Sequence, residues 1–402
     1  MSATLAIGIA AAVFIVAIRL KVPLGAAFLL SSILLGILSS MGAGDIALSV
    51  GKSLIDPETL RLVGIVYLLT LMGVLMSELG WLSRTVSALN VLIPDRRIGA
   101  VLPASLIGLL PMPGGAMLSA PLVEEGSRKL DISVERLTYL NFWFRHLWEY
   151  VWPLYPGLIL SAALLDLEVV TLIKPMWPLS IVAIAAGFFF GLRDLSGKTG
   201  EDKSRRFGKA LGEFFLTTWY VWAVVIFVLG FGLDILPVVA IAALVTALIL
   251  RRPDRERIRL FGKAFSWRVL SLVAGVMVFN GMLESSGSLD ALATELAAVP
   301  TVILLFVVPF AIGLITGINS AYVGLGFPLL VPFFFEGGAF DPVHFAFAFA
   351  AGFAGVLTSP VHLCLLLTKQ YFGAEWGGIY RRLIPSAACI LAAGIIILLL
   401  RG

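Results

Sequence analysis

Long apolar runs separated by short polar clusters dominate the pattern of this 402-residue chain. Segments such as Leu62 to Met76, Trp219 to Phe231 and Val299 to Ile315 are nearly free of charge, and a bilayer-spanning helix needs about 20 mostly apolar residues. The runs do not alternate every second residue and are too long for barrel staves, so they read as helices. The pattern predicts five spans in the first half, at about Ala3 to Ile18, Leu24 to Ser39, Arg61 to Ser77, Leu140 to Leu165 and Pro175 to Leu192. Five more follow, at about Phe214 to Gly232, Leu236 to Leu250, Val269 to Leu283, Phe345 to Thr368 and Ile384 to Leu400. Between the third and fourth span of each half lies an apolar stretch interrupted by Pro and Gly, Ile98 to Val123 and Val302 to Phe335. Each reads as a hairpin that enters and leaves on one side. The expected fold is an all-α polytopic membrane protein with ten transmembrane helices and two re-entrant hairpins.

Charge supports that count. With the N-terminus outside, 24 of the 29 Lys and Arg fall on the cytoplasmic side. Only Lys52, Arg61, Lys174 and Arg401 stay outside, and Arg145 alone remains within a span. This is the positive-inside asymmetry, which a full crossing by either hairpin would spoil. The first positive charges, Arg19 and Lys21, follow the first apolar run, the reverse of a cleavable signal peptide; the first helix is expected to be retained. Composition agrees, with 59% hydrophobic and 13% charged residues. The formal charge of +4 is explained by topology and calls for no nucleic acid. The two cysteines, Cys364 and Cys389, lie in apolar segments without metal-ligand spacing and read as packing residues.

Prolines recur at an offset of about 207 residues: Pro94 with Pro300, Pro103 with Pro309, Pro121 with Pro328, Pro153 with Pro360 and Pro178 with Pro385. The run Ala185-Ala186-Gly187 recurs as Ala392-Ala393-Gly394. Five crossings per unit force the second unit to be inverted relative to the first. The expected organisation is two inverted-topology repeats, 1–194 and 214–402, joined by a cytoplasmic linker, 195–213. The first carries a cytoplasmic-entry hairpin at 98–124 and a broken helix at 138–165. The second carries an outer-entry hairpin at 302–335 and a broken helix at 345–368.

Broken helices survive in a bilayer only where they are buried in protein or line a cavity. The predicted breaks are the hairpin tips at Leu110 to Ala116 and Thr316 to Ser320, and the interruptions at Trp152 to Gly157 and Thr358 to His362. Half-helix N-termini meeting near the midplane stabilise an anion, and freed carbonyls can ligate a cation such as Na⁺. Ordinary packing kinks are the alternative, but kinks do not usually recur as a set at one offset.

The two-repeat plan, the PMPGGAMLSAP hairpin and the TSPVHLCLLLTKQYF segment resemble an uncharacterised family of prokaryotic integral-membrane proteins. That family is grouped with the ion transporter superfamily, alongside divalent anion/sodium symporters, citrate transporters and gluconate permeases. The resemblance implies a homodimer, with the first three spans of each repeat as scaffold and the hairpin plus last two spans as a mobile elevator domain; the charge map puts both termini outside, and the expected location is the plasma membrane. It also implies Na⁺- or H⁺-coupled movement of a small organic anion, without a cofactor beyond the coupling ion. The symporters carry Ser-Asn-Thr signatures in both repeats, whereas here only Asn319-Ser320, with Thr316 nearby, comes close.

The residues expected to hold the anion are Pro113, Gly114, Gly115, Arg145, Asn319, Ser320, Ser359 and His362. Those expected to serve the coupling ion are Thr316, Gly317, Asn319, Thr358, Glu149 and His146. Ionisable groups at membrane depth face partners or cavities. Arg145 and Glu149, four apart, would share a helical face as an ion pair; the functional reading gives the anion to Arg145 and a proton to Glu149 and His146. His362 reads equally as a hydrogen-bonded structural residue. Trp148, Trp152 and Tyr155 are candidates to line the cavity. An intramembrane enzyme is disfavoured, since neither HExxH nor Gly-x-Ser-x-Gly occurs. A channel differs from a transporter only in the kind of flux it supports.

Overall fold

The computed structural model describes residues 2–93, 95–109, 115–128, 130–196, 207–250, 253–296 and 298–400. These form helices joined by short turns, with one two-residue strand pair, Phe335–Glu336 against Ala339–Phe340. The first half contains α1 (Ala3–Arg19), α2 (Leu24–Leu38), α3 (Ala43–Ile55), α4 (Pro57–Glu78), α5 (Trp81–Leu92), α6 (Arg96–Gly108), α7 (Gly115–Ser127), α8 (Val134–Arg145), α9 (Pro156–Leu165), α10 (Val169–Ile173) and α11 (Trp177–Gly191). The second contains α12 (Phe207–Val224, continued by a π-helical turn to Gly230), α13 (Ile235–Ile249), α14 (Asp254–Ala264), α15 (Trp267–Ser285), α16 (Ser288–Leu296), α17 (Thr301–Thr316), α18 (Asn319–Leu330), α19 (Pro342–Thr358), α20 (Leu363–Phe372) and α21 (Trp376–Leu399).

Several starts are written locally. Asp56 accepts hydrogen bonds from the Glu58 and Thr59 amides, with Pro57 at the first helical position of α4. Asp341 does the same for Val343 and His344 ahead of Pro342 at the start of α19. A carboxylate cap followed by proline satisfies free amides and presets φ for the first turn.

Five helical stretches among the described residues are long and apolar enough to cross a bilayer by length and composition: Pro57–Glu78, Phe207–Gly230, Trp267–Ser285, Pro342–Phe372 and Trp376–Leu399. Six shorter apolar helices, including α1, α2 and α9, accompany them. Large apolar side chains also point outward, such as Ile241, Leu244 and Leu248 on α13 and Phe215, Leu216 and Phe227 on the α12 segment. Helices keep their backbone polar groups satisfied while presenting such side chains to lipid. This is an all-α membrane protein.

Two groups of helices pack around the centre. In one, α2 lies on α15, α4 on α13, α5 on α12 and α1 on α16. In the other, α6 pairs with α7 and α17 with α18 as helical hairpins, α6 lies on α8, α17 on α19, α7 on α20, and α9 on α18. The α17–α19 contact is close because its facing residues are small. A Cβ on Gly313 would collide with the Gly352 carbonyl, and one on Gly355 with that of Phe310. Such surfaces let backbones approach where lipid supplies no hydrophobic driving force.

The sequence pattern had not predicted α3, α5, α14 and α16. Each is short and carries polar residues along one face, so it falls below any spanning threshold while still forming an amphipathic helix. At the entrance of α8, buried Arg136 donates to the Gly191 carbonyl (2.7 Å) and pairs with Asp194 just beyond α11. The hydrogen bond from this guanidinium holds the Asp194 carboxyl below its usual range.

Candidate functional site

The fourth predicted span is interrupted over a longer stretch than its prolines indicate. α8 stops at Arg145, His146 has φ −103°, and the chain does not resume a helix until Pro156. Pro153 and Pro156 provide no amide donors and drive the residues before them away from helical geometry. Arg145 and Glu149 therefore do not share a helical face, and the intrahelical pair expected from their spacing is replaced by other contacts. Arg145 Nη1 lies 3.2 Å from Cys364 Sγ. The Glu149 carboxylate accepts a 2.6 Å hydrogen bond from Asn319 Nδ2 and stands 3.8 Å from His146 Nε2.

Aromatic donors close the carbonyls that helix breaks expose. Trp148 Nε1 donates to the Ser105 carbonyl and Trp152 Nε1 to that of Leu109, both at 2.9 Å, and the Tyr155 hydroxyl donates to Gly108 at the end of α6. Tyr380 likewise donates to the Thr358 carbonyl at the end of α19 (3.0 Å). Buried carbonyls left unsatisfied would each cost several kcal/mol, so these side chains stabilise the breaks. One acceptor position on each of these carbonyls is thus already engaged. The opposite ends are different. α7, α9, α18 and α20 all begin here, at Gly115, Pro156, Asn319 and Leu363, and their N-terminal amides and dipoles favour negative charge.

A cavity of about 260 Å³ opens at this junction. Its polar wall is made by Arg145, His146, Glu149, Tyr155, Asn319, Ser320, His362 and Cys364; its apolar wall comes from α4 (Leu62, Val66, Leu69) and α15 (Val269, Leu272, Val273). Arg145, His146, Glu149 and His362 are all buried. Gly157 completes the wall, because a Cβ there would collide with Asn319 Oδ1.

Seven residues singled out from the sequence thus converge on one cavity: Arg145, His146, Glu149, Tyr155, Asn319, Ser320 and His362. The remaining described ones lie beside it. A Cβ on Gly115 would strike the Arg145 guanidinium. Gly317, with φ +65°, caps α17 against Ser359 and the His362 backbone. The Thr316 hydroxyl donates to Ile312 and that of Thr358 to Ala354, each at 2.7 Å within its own helix. Pro113 and Gly114, the rest of the first hairpin tip (110–114), most of the linker (197–206) and Pro94 lie outside the described residues.

Cys364, read from the sequence as a packing residue, belongs to the cavity wall. Its Sγ, His146 and His362 place their donor atoms within 4.8 Å of one another. The available signal was proximity, for Cys364 follows His362 by two residues just after the Pro360 break. Thr70 was also missed; nothing in its local sequence separates it from an ordinary helix residue.

The fold and this cavity define a helical membrane protein with a buried, charged chamber at interrupted helices. The chain belongs to the family described as "Protein of unknown function (DUF401)", which matches it over residues 1–400. No curated protein matches the chain.

Proposed function

We propose that this protein is a secondary active transporter of a small carboxylate-like anion, coupled to Na⁺ or H⁺, and not an enzyme. The observation that carries the reading is the cavity itself. A guanidinium, three helix N-termini and a hydrogen-bonded carboxylate meet there, facing an apolar wall from a different group of helices. Arg145 and the helix starts supply anion recognition, while Glu149 and Asn319 supply polar groups for a coupling cation.

Two inverted repeats underlie the proposal. Shifted by 207 residues, α9 coincides with α20, and α4, α5 and α6 fall on α15, α16 and α17 within a few residues. The four helices absent from the hydropathy pattern also pair at this shift, α3 with α14 and α5 with α16. Packing has the same exchange symmetry: α2 on α15 matches α13 on α4, α5 on α12 matches α16 on α1, and α7 on α20 matches α18 on α9. In this reading ten spans and two re-entrant hairpins form the protomer. The hairpins and broken helices, with α11 and α21, move as an elevator against a dimeric scaffold containing α4 and α15. Cavity walls drawn from both groups are what such sliding requires, since relative motion would carry the polar wall past the apolar one.

The orientation is testable by cysteine labelling in a background lacking Cys364 and Cys389. Gly338→Cys, in the exposed turn between Phe335–Glu336 and Ala339–Phe340, is expected to react with an impermeant reagent from outside, and Ser204→Cys only from the cytoplasm. Reaction of both from the same side contradicts the inverted arrangement. The function is tested by uptake of carboxylates into liposomes containing the purified protein.

A further inference from the structure

We infer that His146, His362 and Cys364 form a binding site for one thiophilic divalent cation of the zinc class. The inference stands on the geometry of the cavity wall and does not rest on the transport reading. His146 terminates α8, His362 is the N-cap of α20, and Cys364 lies in the first turn of α20. Donor atoms separated by 218 residues of sequence thereby come within 4.8 Å of one another. Metal–ligand lengths of roughly 2.0–2.3 Å bring tetrahedral donors somewhat closer than this, and small side-chain rotations at the cavity surface suffice.

Three observations point to a ligand. His362 is 8% exposed, yet neither ring nitrogen has a hydrogen-bond partner among the described residues. A buried imidazole left in that condition is costly, and a metal bond would relieve it. His146 is already set for ligation, because Nδ1 lies 2.6 Å from the Phe142 carbonyl. That bond makes Nδ1 the donor and leaves the Nε2 lone pair facing the cavity, the arrangement that orients metal-bound imidazoles. Cys364 Sγ lies 3.2 Å from Arg145 Nη1, so a guanidinium stands ready to balance a thiolate.

Two imidazoles and a thiolate suit zinc-class cations and disfavour Na⁺, Mg²⁺ or Ca²⁺, which take oxygen ligands. With three protein ligands, the fourth position faces the cavity. The cation, Arg145 and a single thiolate leave an excess of positive charge, which an anion at that fourth position offsets. Glu149, 3.8 Å from His146 Nε2, is the nearest protein carboxylate on that side. Occupation would tie the end of α8 to the start of α20, fixing the two helix breaks to each other.

The test uses the purified full-length chain, stripped of metal by a chelator and titrated with Co²⁺ as a spectroscopic probe. One equivalent per chain is expected, with a sulfur-to-cobalt charge-transfer band that Zn²⁺ abolishes by competition. Cys364→Ala should lose that band, His362→Ala should weaken Co²⁺ binding at least tenfold, and Cys389→Ala should behave as the parent. Absence of the band from the parent protein with cobalt in large excess overturns the inference, and this result does not depend on any variant folding. Persistence of the band in Cys364→Ala, or unchanged affinity in His362→Ala, overturns it equally.

Discussion

Arg145→Gln is expected to weaken binding of a small carboxylate by roughly tenfold to a hundredfold, the equivalent of about 1.5–3 kcal/mol for a hydrogen bond to a charged group. Its guanidinium is buried on the wall of the cavity and adjoins the first residue of α7. A guanidinium at membrane depth is retained where it has anionic or dipolar partners, and a carboxylate reaching this wall would be met by both the charge and the helix N-termini. The effect should appear as loss of ligand-induced thermal stabilisation of the purified protein, with the same yield in the membrane. Arg145→Gln combined with Glu149→Gln separates site from scaffold, because it removes both charges together. If that double variant binds carboxylates as the parent does, the anion is held by helix termini alone.

Gly317→Val is expected to abolish transport while leaving membrane insertion intact. Gly317 ends α17 with φ +65°, a conformation that costs a residue with a Cβ about 1–2 kcal/mol and a β-branched one more. Space is also lacking, since a Cβ there would sit 2.7 Å from the His362 amide nitrogen and 3.0 Å from Ser359 Oγ. The tip can accept valine only by moving the start of α18 or the N-cap of α20, and both shape the cavity. Uptake in vesicles, normalised to protein in the membrane, reads the result. Parent-like uptake by Gly317→Val means that the turn does not need this close approach.

The breaks were legible because Pro and Gly act locally. Gly317 ends one helix, Pro156 starts another, and Pro360 follows the end of α19, as the sequence indicated. The long apolar helices were legible for a similar reason, since length and hydropathy are properties of a single segment. What escaped the sequence was relational. Proline identifies an interruption but not how far it propagates, so the end of α8 at Arg145 and the resulting separation of Arg145 from Glu149 were not visible. Cys364 looked like packing because its partners are His146, far away in the chain, and Arg145, one residue before it. The short helices α3, α5, α14 and α16 escaped because their polar faces dilute the hydropathy that reveals a span. Their pairing at one shift emerges only when helix boundaries are compared.

Uphill uptake tests the central claim most directly. The purified protein is reconstituted in liposomes, radiolabelled mono-, di- and tricarboxylates are supplied outside, and an inward Na⁺ or proton gradient is imposed. The account predicts saturable accumulation of one carboxylate class above its external concentration, collapsing when the gradient is dissipated and lost in Arg145→Gln. Flux that does not saturate and never exceeds equilibration, or the absence of carboxylate uptake under both gradients, would contradict it.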